Sequence, residues 1–334
     1  MKHWGLILLL SAAGPVLAQQ AEVTVDRETA EVIRGGLKYL AAQQQPNGAW
    51  TESNKSEWET AITGYALMAF LATGNLPNEG EFGKVVAAGQ QFLLASLQTD
   101  GKFTSVRRGG QYMYGHGIAT IVLAELYGQT KADAMRPKLE KAVQVIVGAQ
   151  NREGGWRYAP VANDADISVT VLQVVALRAA KEAGLNVPQT TLDNAVKYIH
   201  ACYDAKTGGF SYQPRGAPGF ARTAAAIYSL QVLGQYDDPQ VKTGSEFLTK
   251  HFAEKDVFVA YGHFYAGPAE YMIGGETWKQ WYTNLRASLL KSVRRQGDIA
   301  YWERQGSDPG AIYTTAVYTS LLALPYHYVP LYQR

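Results

Sequence analysis

One cysteine, Cys202, is all that the 334 residues contain. An internal disulfide is therefore excluded, and the fold must hold by its core. Cys202 falls in the helical run Tyr198-Ile199-His200-Ala201-Cys202-Tyr203 and reads as a buried, inert thiol. An excess of charge of either sign is also missing: 31 Lys and Arg stand against 29 Asp and Glu, a formal net charge of +2. With 47% hydrophobic and 18% charged residues, the composition excludes intrinsic disorder. Without a basic run, a dedicated nucleic-acid binder is excluded too. After the first few residues no stretch reaches about 18 consecutive apolar positions, so no transmembrane segment is expected. HExxH, phosphate-loop and dinucleotide signatures are absent.

Glycine and tyrosine, by contrast, are plentiful, at 33 and 21 residues. The first 18 residues have the form of a secretory signal peptide: Lys2 and His3, then an apolar core over Leu6–Leu10, then the small-residue ending Val16-Leu17-Ala18. This pattern predicts an exported protein, periplasmic or extracellular, cleaved near Ala18. Residues 19–334 are then expected to form a single domain with 30 basic and 29 acidic residues.

That domain is built from repeats. Gly followed by an aromatic recurs at Gly48-Ala49-Trp50, Gly101-Lys102-Phe103, Gly154-Gly155-Trp156 and Gly208-Gly209-Phe210, with the aromatics 53, 53 and 54 residues apart. Ala300-Tyr301-Trp302 is a weaker relative 92 residues further on, leaving room for one degenerate unit near Val257–Phe264. A fixed period over most of the chain marks a repeat architecture. A helix precedes each loop (34–45, 85–98, 138–150, 192–203, 241–252, 277–295). A second helix follows it (57–72, 114–127, 167–183, 222–233, 261–273, 313–324). Apolar spacing such as Ile118, Ile121, Val122 and Leu126 favours helix over strand. Gly74, Gly128, Gly184 and Gly234 mark helix stops. Twelve helices in six hairpins must stack to bury their faces, and six can close into a ring.

The run from Arg34 to Trp50, with Tyr39, Gln43-Gln44-Gln45 and Gly48-Ala49-Trp50, resembles the QW motif of terpenoid cyclases. Gln150, Gly154 and Trp156 keep its core, and Gln98 with Gly101 keeps part of it. The chain resembles the prenyltransferase and squalene-oxidase repeat superfamily over roughly residues 30–330, within it a secreted bacterial branch. The resemblance implies an all-α fold, an (α/α)6 toroid of six helical hairpins with QW-like loops. The motif's Gln is expected to bond carbonyls at a helix end while the Trp packs over it.

In the resembled toroids the second helix of each pair lines the inside, and its N-terminal end faces the cavity mouth. That rule collects Trp58 and Glu59, Tyr112, Tyr114 and His116, Asp164, Asp166 and Thr170, Arg222 and Thr223, Tyr261, His263 and Tyr265, and Tyr313 and Thr314. A ring of helix N-termini favours anions and polar groups. Asp164 and Asp166 stand before an apolar helix and also suit capping. Asp164-Ala165-Asp166-Ile167 resembles the Asp-x-Asp-Asp acid motif of squalene–hopene-type cyclases, with Ile167 in place of the last acid. There Asp166 would be the general acid and Asp164 its partner, and aromatics such as Tyr114 or Tyr313 could stabilise a carbocation. Protein prenyltransferases, a further relative, hold zinc with Asp, Cys and His. Cys202 lies on a first-type helix without an Asp-x-Cys pattern, so neither a metal nor another cofactor is expected.

Three functions follow. The leading one is a toroid whose central cavity binds a hydrophobic or mixed small molecule, or a protein partner. The second is a terpenoid-cyclase-like isomerase using Asp166. The third is a glycan-active enzyme with a carboxylate pair such as Glu59 and Asp166 and aromatic sugar platforms.

Overall fold

The structure, a computed structural model, describes residues 23–52, 58–104, 111–253 and 257–332. The expected signal peptide lies outside the described residues. Among these residues there are twelve α-helices: α1 Arg27–Ala42, α2 Glu59–Ala72, α3 Gly83–Ser96, α4 Tyr112–Thr130, α5 Arg136–Gly148 and α6 Ile167–Glu182 in the first half, then α7 Gln189–Ala201, α8 Phe220–Val232, α9 Pro239–His251, α10 Val259–Ile273, α11 Gly275–Ser292 and α12 Ala311–Leu322. None is long and apolar enough to cross a membrane.

The even-numbered helices pack neighbour to neighbour, and α12 returns to α2, closing an inner ring. The odd-numbered helices form an outer ring. This division follows from the sequence. Inner helices are apolar on every side; α2 buries every residue from Ile62 to Ala72. Outer helices are amphipathic; α1 buries Val32, Ile33, Leu37 and Leu40 on one stripe. Inner helices also approach closely. A methyl at Gly117 of α4 would stand 2.8 Å from Leu172 Cβ of α6. Cys202, the C-cap of α7, is buried, and burial pushes its thiol up to about 12.

The Gly-aromatic loops clamp the two rings together. Trp50 Nε1 donates to Leu40 O (2.7 Å), Trp156 Nε1 to Ile146 O (2.7 Å) and Trp302 Nε1 to Leu289 O (3.0 Å), each near the end of the preceding outer helix. The backbone amides of Trp50, Trp156, Phe210 and Trp302 donate to the hydroxyls of Thr63, Thr170, Thr223 and Thr315 on the following inner helix, at 2.9–3.1 Å. The glutamines act differently from expectation. Gln44 Nε2 donates to Gly48 O and to Val85 O in the first turn of α3, and Gln150 does the same with Gly154 O and Thr191 O of α7. The indole, not the amide, satisfies the outer helix end, and the amide ties each loop to the next outer helix. Gly154, with φ of 100°, sits where a Cβ would meet Asn194 O at 2.0 Å, so only glycine fits that approach.

Several boundaries differ from the sequence reading by two or three residues, and two differences have a structural cause. α1 begins at Arg27, two turns early, because Asp26 caps it by accepting from Thr29 N (2.9 Å). The helix expected over 277–295 ends at Ser292, and an antiparallel hairpin, β1 Arg294–Gln296 with β2 Ile299–Tyr301, carries the degenerate loop. Trp302 keeps both clamp bonds there, so the bonds outlast the sequence motif. The hairpin also seals the ring against α1 through the stacked Tyr39 and Tyr301 rings (5.0 Å) and the ion pairs Lys38–Asp298 and Arg295–Glu28.

Trp156 is fully buried between these elements. Trp156→Ala should cost about 3–5 kcal/mol of unfolding free energy in a denaturant titration. Unchanged stability would show that the Gly-aromatic loop is not a clamp.

Candidate functional site

A cavity of about 720 Å3 lies at the N-terminal end of the inner ring. All six inner helices contribute their first turns: Trp58, Ala61, Ile62 and Tyr65 from the start of α2, Tyr114 from α4, Ser168 from α6, Ala221 and Arg222 from α8, Tyr261 from α10 and Tyr313 from α12. Tyr158 and Tyr212 reach in from the loops before α6 and α8, and Gln111, Gly115, Phe258, Ser307, Asp308 and Pro309 complete the wall. Beneath it, Tyr65 stacks edge-on with Tyr313 (4.7 Å) and with Phe264 (5.1 Å). At the opposite end of the ring, Val329, Leu331 and Tyr332 are buried against α6 and α10, and Tyr228 Oη donates to Leu331 O at 3.5 Å.

The loops hold their positions by satisfying the helix starts of neighbouring repeats. Tyr158 O accepts from Met113 N of α4, and Tyr212 O accepts from Ile167 N of α6, both at 2.9 Å. Asp308 Oδ2 accepts from Ala260 N of α10 (2.9 Å), and Glu52 Oε1 accepts from Tyr313 N of α12 (2.8 Å). Each acceptor lies in the loop leading to the next inner helix around the ring.

Of the residues expected at the site, Trp58, Tyr114, Arg222, Tyr261 and Tyr313 line the cavity. Ten do not; among them Thr170 and Thr223 are clamp acceptors, and Thr314 Oγ1 donates to Gly310 O (2.9 Å). His116 is fully buried and faces outward to α5. Its Nε2 is 3.0 Å from Ala142 O, which can only accept, so Nε2 carries the proton and Nδ1 accepts from Tyr112 Oη at 3.2 Å. Tyr112 Oη in turn accepts from Phe103 N (2.9 Å). His116 therefore stands where the other repeats place the clamp threonine, and Tyr112 supplies the missing hydroxyl. His263 packs between layers against Phe220 (5.1 Å) and Trp281 (6.0 Å). Tyr265 is buried edge-on to Tyr261 (5.0 Å), below the wall. Glu59 is half-buried at the start of α2 outside the lining, and burial raises its pKa. Asp164 sits outside, paired with Arg157 and accepting from Gln213 Nε2 (3.1 Å).

Asp166 is the N-cap of α6 and is fully buried. Its Oδ1 accepts from Val169 N (2.9 Å) and Ser168 Oγ (2.6 Å). Because Ser168 gives its proton to the carboxylate, Tyr114 Oη, 2.6 Å away, donates to Ser168 Oγ. The carboxylate thus stands one hydroxyl behind the wall. Burial raises its pKa, while the Ser168 hydroxyl, the Val169 amide, Tyr212 and Arg157 pull it back. Arg157 Nε lies 3.6 Å from Asp166 Oδ2, and its guanidinium covers the rings of Tyr158 (5.1 Å) and Tyr212 (5.8 Å). The hydroxyls of those two tyrosines bond each other. Burial holds the cavity phenols of Tyr65, Tyr114, Tyr261 and Tyr313 well above their ordinary pKa, so they remain neutral. Among the described residues no group of three His, Cys, Asp or Glu side chains is placed to hold a metal ion.

Sequence reasoning missed Tyr158, Tyr212, Tyr65 and Asp308 as wall residues. The first two carried a signal, since each follows its loop aromatic, Trp156 or Phe210, by two positions and so shares one face of an extended segment.

Fold and cavity together define a toroid of the prenyltransferase and terpenoid-cyclase-like superfamily, and the prenyltransferase alpha-alpha toroid domain matches residues 169–267. The chain belongs to the family described as a domain of unknown function, DUF6288, whose model matches residues 29–217, more than half of its length. No curated protein matches it in sequence. Several solved structures share the fold. An α-1,6-mannanase from Salegentibacter sp. HEL1_6, solved with α-1,6-mannotriose, superposes with a TM-score of 0.65 at 10% identity, covering 88% of this chain and 98% of that one. The type II terpene cyclase MstE from Scytonema, solved with geranylgeranyl dihydroxybenzoate, gives 0.59 at 14% identity over 90% and 98%. The cellobiose 2-epimerase from Bacillus thermoamylovorans B4167 gives 0.65 at 11% identity over 88% and 98%.

Burial lowers His116 from 6.5 to about 4. As pH falls the unfolded chain takes up this proton first. The stability contributed by neutral His116 is complete above pH 6.5 and is lost as pH falls towards 4, by about 3 kcal/mol in all. Buried Glu125 and Glu270, raised to about 8, titrate with the opposite sign, but they are common to a comparison with His116→Gln. The stability difference between wild type and His116→Gln should therefore shrink across that window. A pH-independent difference would refute a buried neutral imidazole.

Proposed function

We propose that this protein binds a largely hydrophobic small molecule in the toroid cavity and does no cyclase or glycosidase chemistry there. One observation carries the reading: a cavity of about 720 Å3, a ligand-sized volume, walled by Trp58, Tyr65, Tyr114, Tyr158, Tyr212, Phe258, Tyr261 and Tyr313. Such rings offer a large apolar area with hydroxyls at the edges. The terpene cyclase MstE, solved with a geranylgeranyl compound, is a precedent for a prenyl chain in a toroid of this shape.

The cyclase alternative needs an acid in contact with an alkene, and Asp166 is screened by Ser168 and engaged as a helix cap. The glycan-active alternative needs two carboxyls facing the substrate. Among the described residues one acid, Asp308, lines the cavity, and it accepts from the start of α10. The basic, apolar and small-residue pattern of residues 1–18 supports export as the setting.

Trp58 is the natural reporter, because the other described tryptophans are buried. Farnesol should quench its emission saturably, and Ala61→Phe, which adds a ring inside the cavity, should abolish the quench while the melting temperature holds. Mannotriose should leave the emission unchanged. Saturable binding of mannotriose without binding of farnesol would overturn the proposal.

A further inference from the structure

The cavity wall is mostly apolar and phenolic, and among the described residues Arg222, at the start of α8, is the only cation in its lining. We infer that Arg222 is the recognition residue for a monoanionic head group, and that the ligand is a hydrocarbon chain ending in a carboxylate. This deepens the cavity reading above and rests on it.

Three features of α8 support the assignment. First, Arg222 has no counter-charge among the described residues. Its Nη1 donates to Ala217 O (2.7 Å), and no carboxylate lies within ion-pair distance of it among the described residues. Arg157, at the same mouth, is matched by both Asp164 and Asp166. A guanidinium is planar and always charged, and one edge held by a backbone carbonyl leaves the rest of the fork for an acceptor.

Second, the position is electrostatically wrong for a cation without an anion beside it. Arg222 is the third residue of α8, inside the first turn, where the helix dipole disfavours positive charge. None of the other five inner helices carries a basic residue among its first four positions. The N-cap of α8 is Gly219, which contributes no side-chain cap. A methyl there would stand 3.3 Å from Arg222 Cζ, so glycine leaves room for the guanidinium to lie back over the helix start. An anion at this point meets the side-chain charge and the dipole together.

Third, the head group is limited to about one charge. A single guanidinium balances one negative charge. A diphosphate would bring two or three into a wall whose other charged side chain among the described residues, Asp308, is an acid. A carboxylate matches the planar fork in geometry as well as in charge. The adjoining aromatic wall takes the chain.

Farnesol, farnesoic acid and farnesyl diphosphate share one hydrocarbon and differ in the head, so titrating each against Trp58 emission near neutral pH isolates the head-group term. The acid should bind at least about tenfold tighter than the alcohol, the gain expected of a charge-assisted hydrogen bond. In Arg222→Gln the acid should fall to the level of the alcohol, and Arg222→Lys should restore part of the preference. Equal binding of acid and alcohol in the wild type, or a preference that survives Arg222→Gln, overturns the assignment of Arg222 while leaving the cavity reading intact. Tighter binding of the diphosphate than of the acid overturns the monoanion. Failure of farnesol and farnesoic acid alike to quench Trp58 overturns the cavity reading itself.

Discussion

Six inner helices bring their N-terminal ends to one mouth, and each end leaves backbone N–H groups without helical acceptors. Buried donors of that kind cost about 1–3 kcal/mol each if left unpaired. The toroid meets this constraint across repeats. The loop ahead of one inner helix turns its carbonyl or carboxylate to the start of the preceding one, as Tyr158 does for α4, Tyr212 for α6, Asp308 for α10 and Glu52 for α12. Ring closure and helix capping are thus the same set of bonds. The Glu52 bond to Tyr313 N, which spans 261 residues of sequence, joins the last inner helix to the loop before the first.

This arrangement decides which side chains are available for function. A loop fixed by its own carbonyl has its side chain released, and Tyr158 and Tyr212 point their rings into the cavity. A loop fixed by its side chain has one carboxylate oxygen engaged, as Glu52 and Asp308 do. Asp166 is occupied in the same way by its own helix. An acidic, polar-looking mouth in sequence is therefore a phenolic one in space. With the phenols held neutral by burial, most of the wall offers hydroxyl dipoles and ring faces rather than charge.

The helical ring was legible because two independent signals agreed: the recurring Gly-aromatic pair, and apolar residues at helical spacing between the repeats. The cavity was half legible. The rule that inner-helix starts face the mouth found Trp58, Tyr114, Arg222, Tyr261 and Tyr313. It failed at His116 and His263 because a helix start has sides as well as an end, and residues a turn further in face the outer layer. For His116 a finer signal existed. The clamp acceptor follows its loop aromatic by 13 or 14 residues at Thr63, Thr170, Thr223 and Thr315, and His116 follows Phe103 by 13. The caps from Glu52 and Asp308 had no such signature, since a loop-to-helix bond between different repeats leaves no local pattern.

The caps also make the mouth electrostatically uneven. Asp166, Asp308 and Glu52 set a carboxylate at the starts of α6, α10 and α12, where negative charge opposes the positive end of each dipole. The start of α8 receives the opposite treatment, with a glycine cap and a cation in the first turn. Dipole and side chain reinforce each other there instead of cancelling. Among the described lining residues Arg222 and Asp308 are the two charged side chains, and Asp308 is engaged by Ala260 N, so the start of α8 is the positive sector of the mouth. A molecule with one negatively charged end would therefore have a preferred direction of entry, its head towards α8 and its body against Tyr65, Tyr261 and Tyr313, whose packed rings have no polar partner to offer beyond their hydroxyls. The far end of the ring is filled by Val329, Leu331 and Tyr332, so the cavity is open at the N-terminal mouth of the ring and does not pass through it.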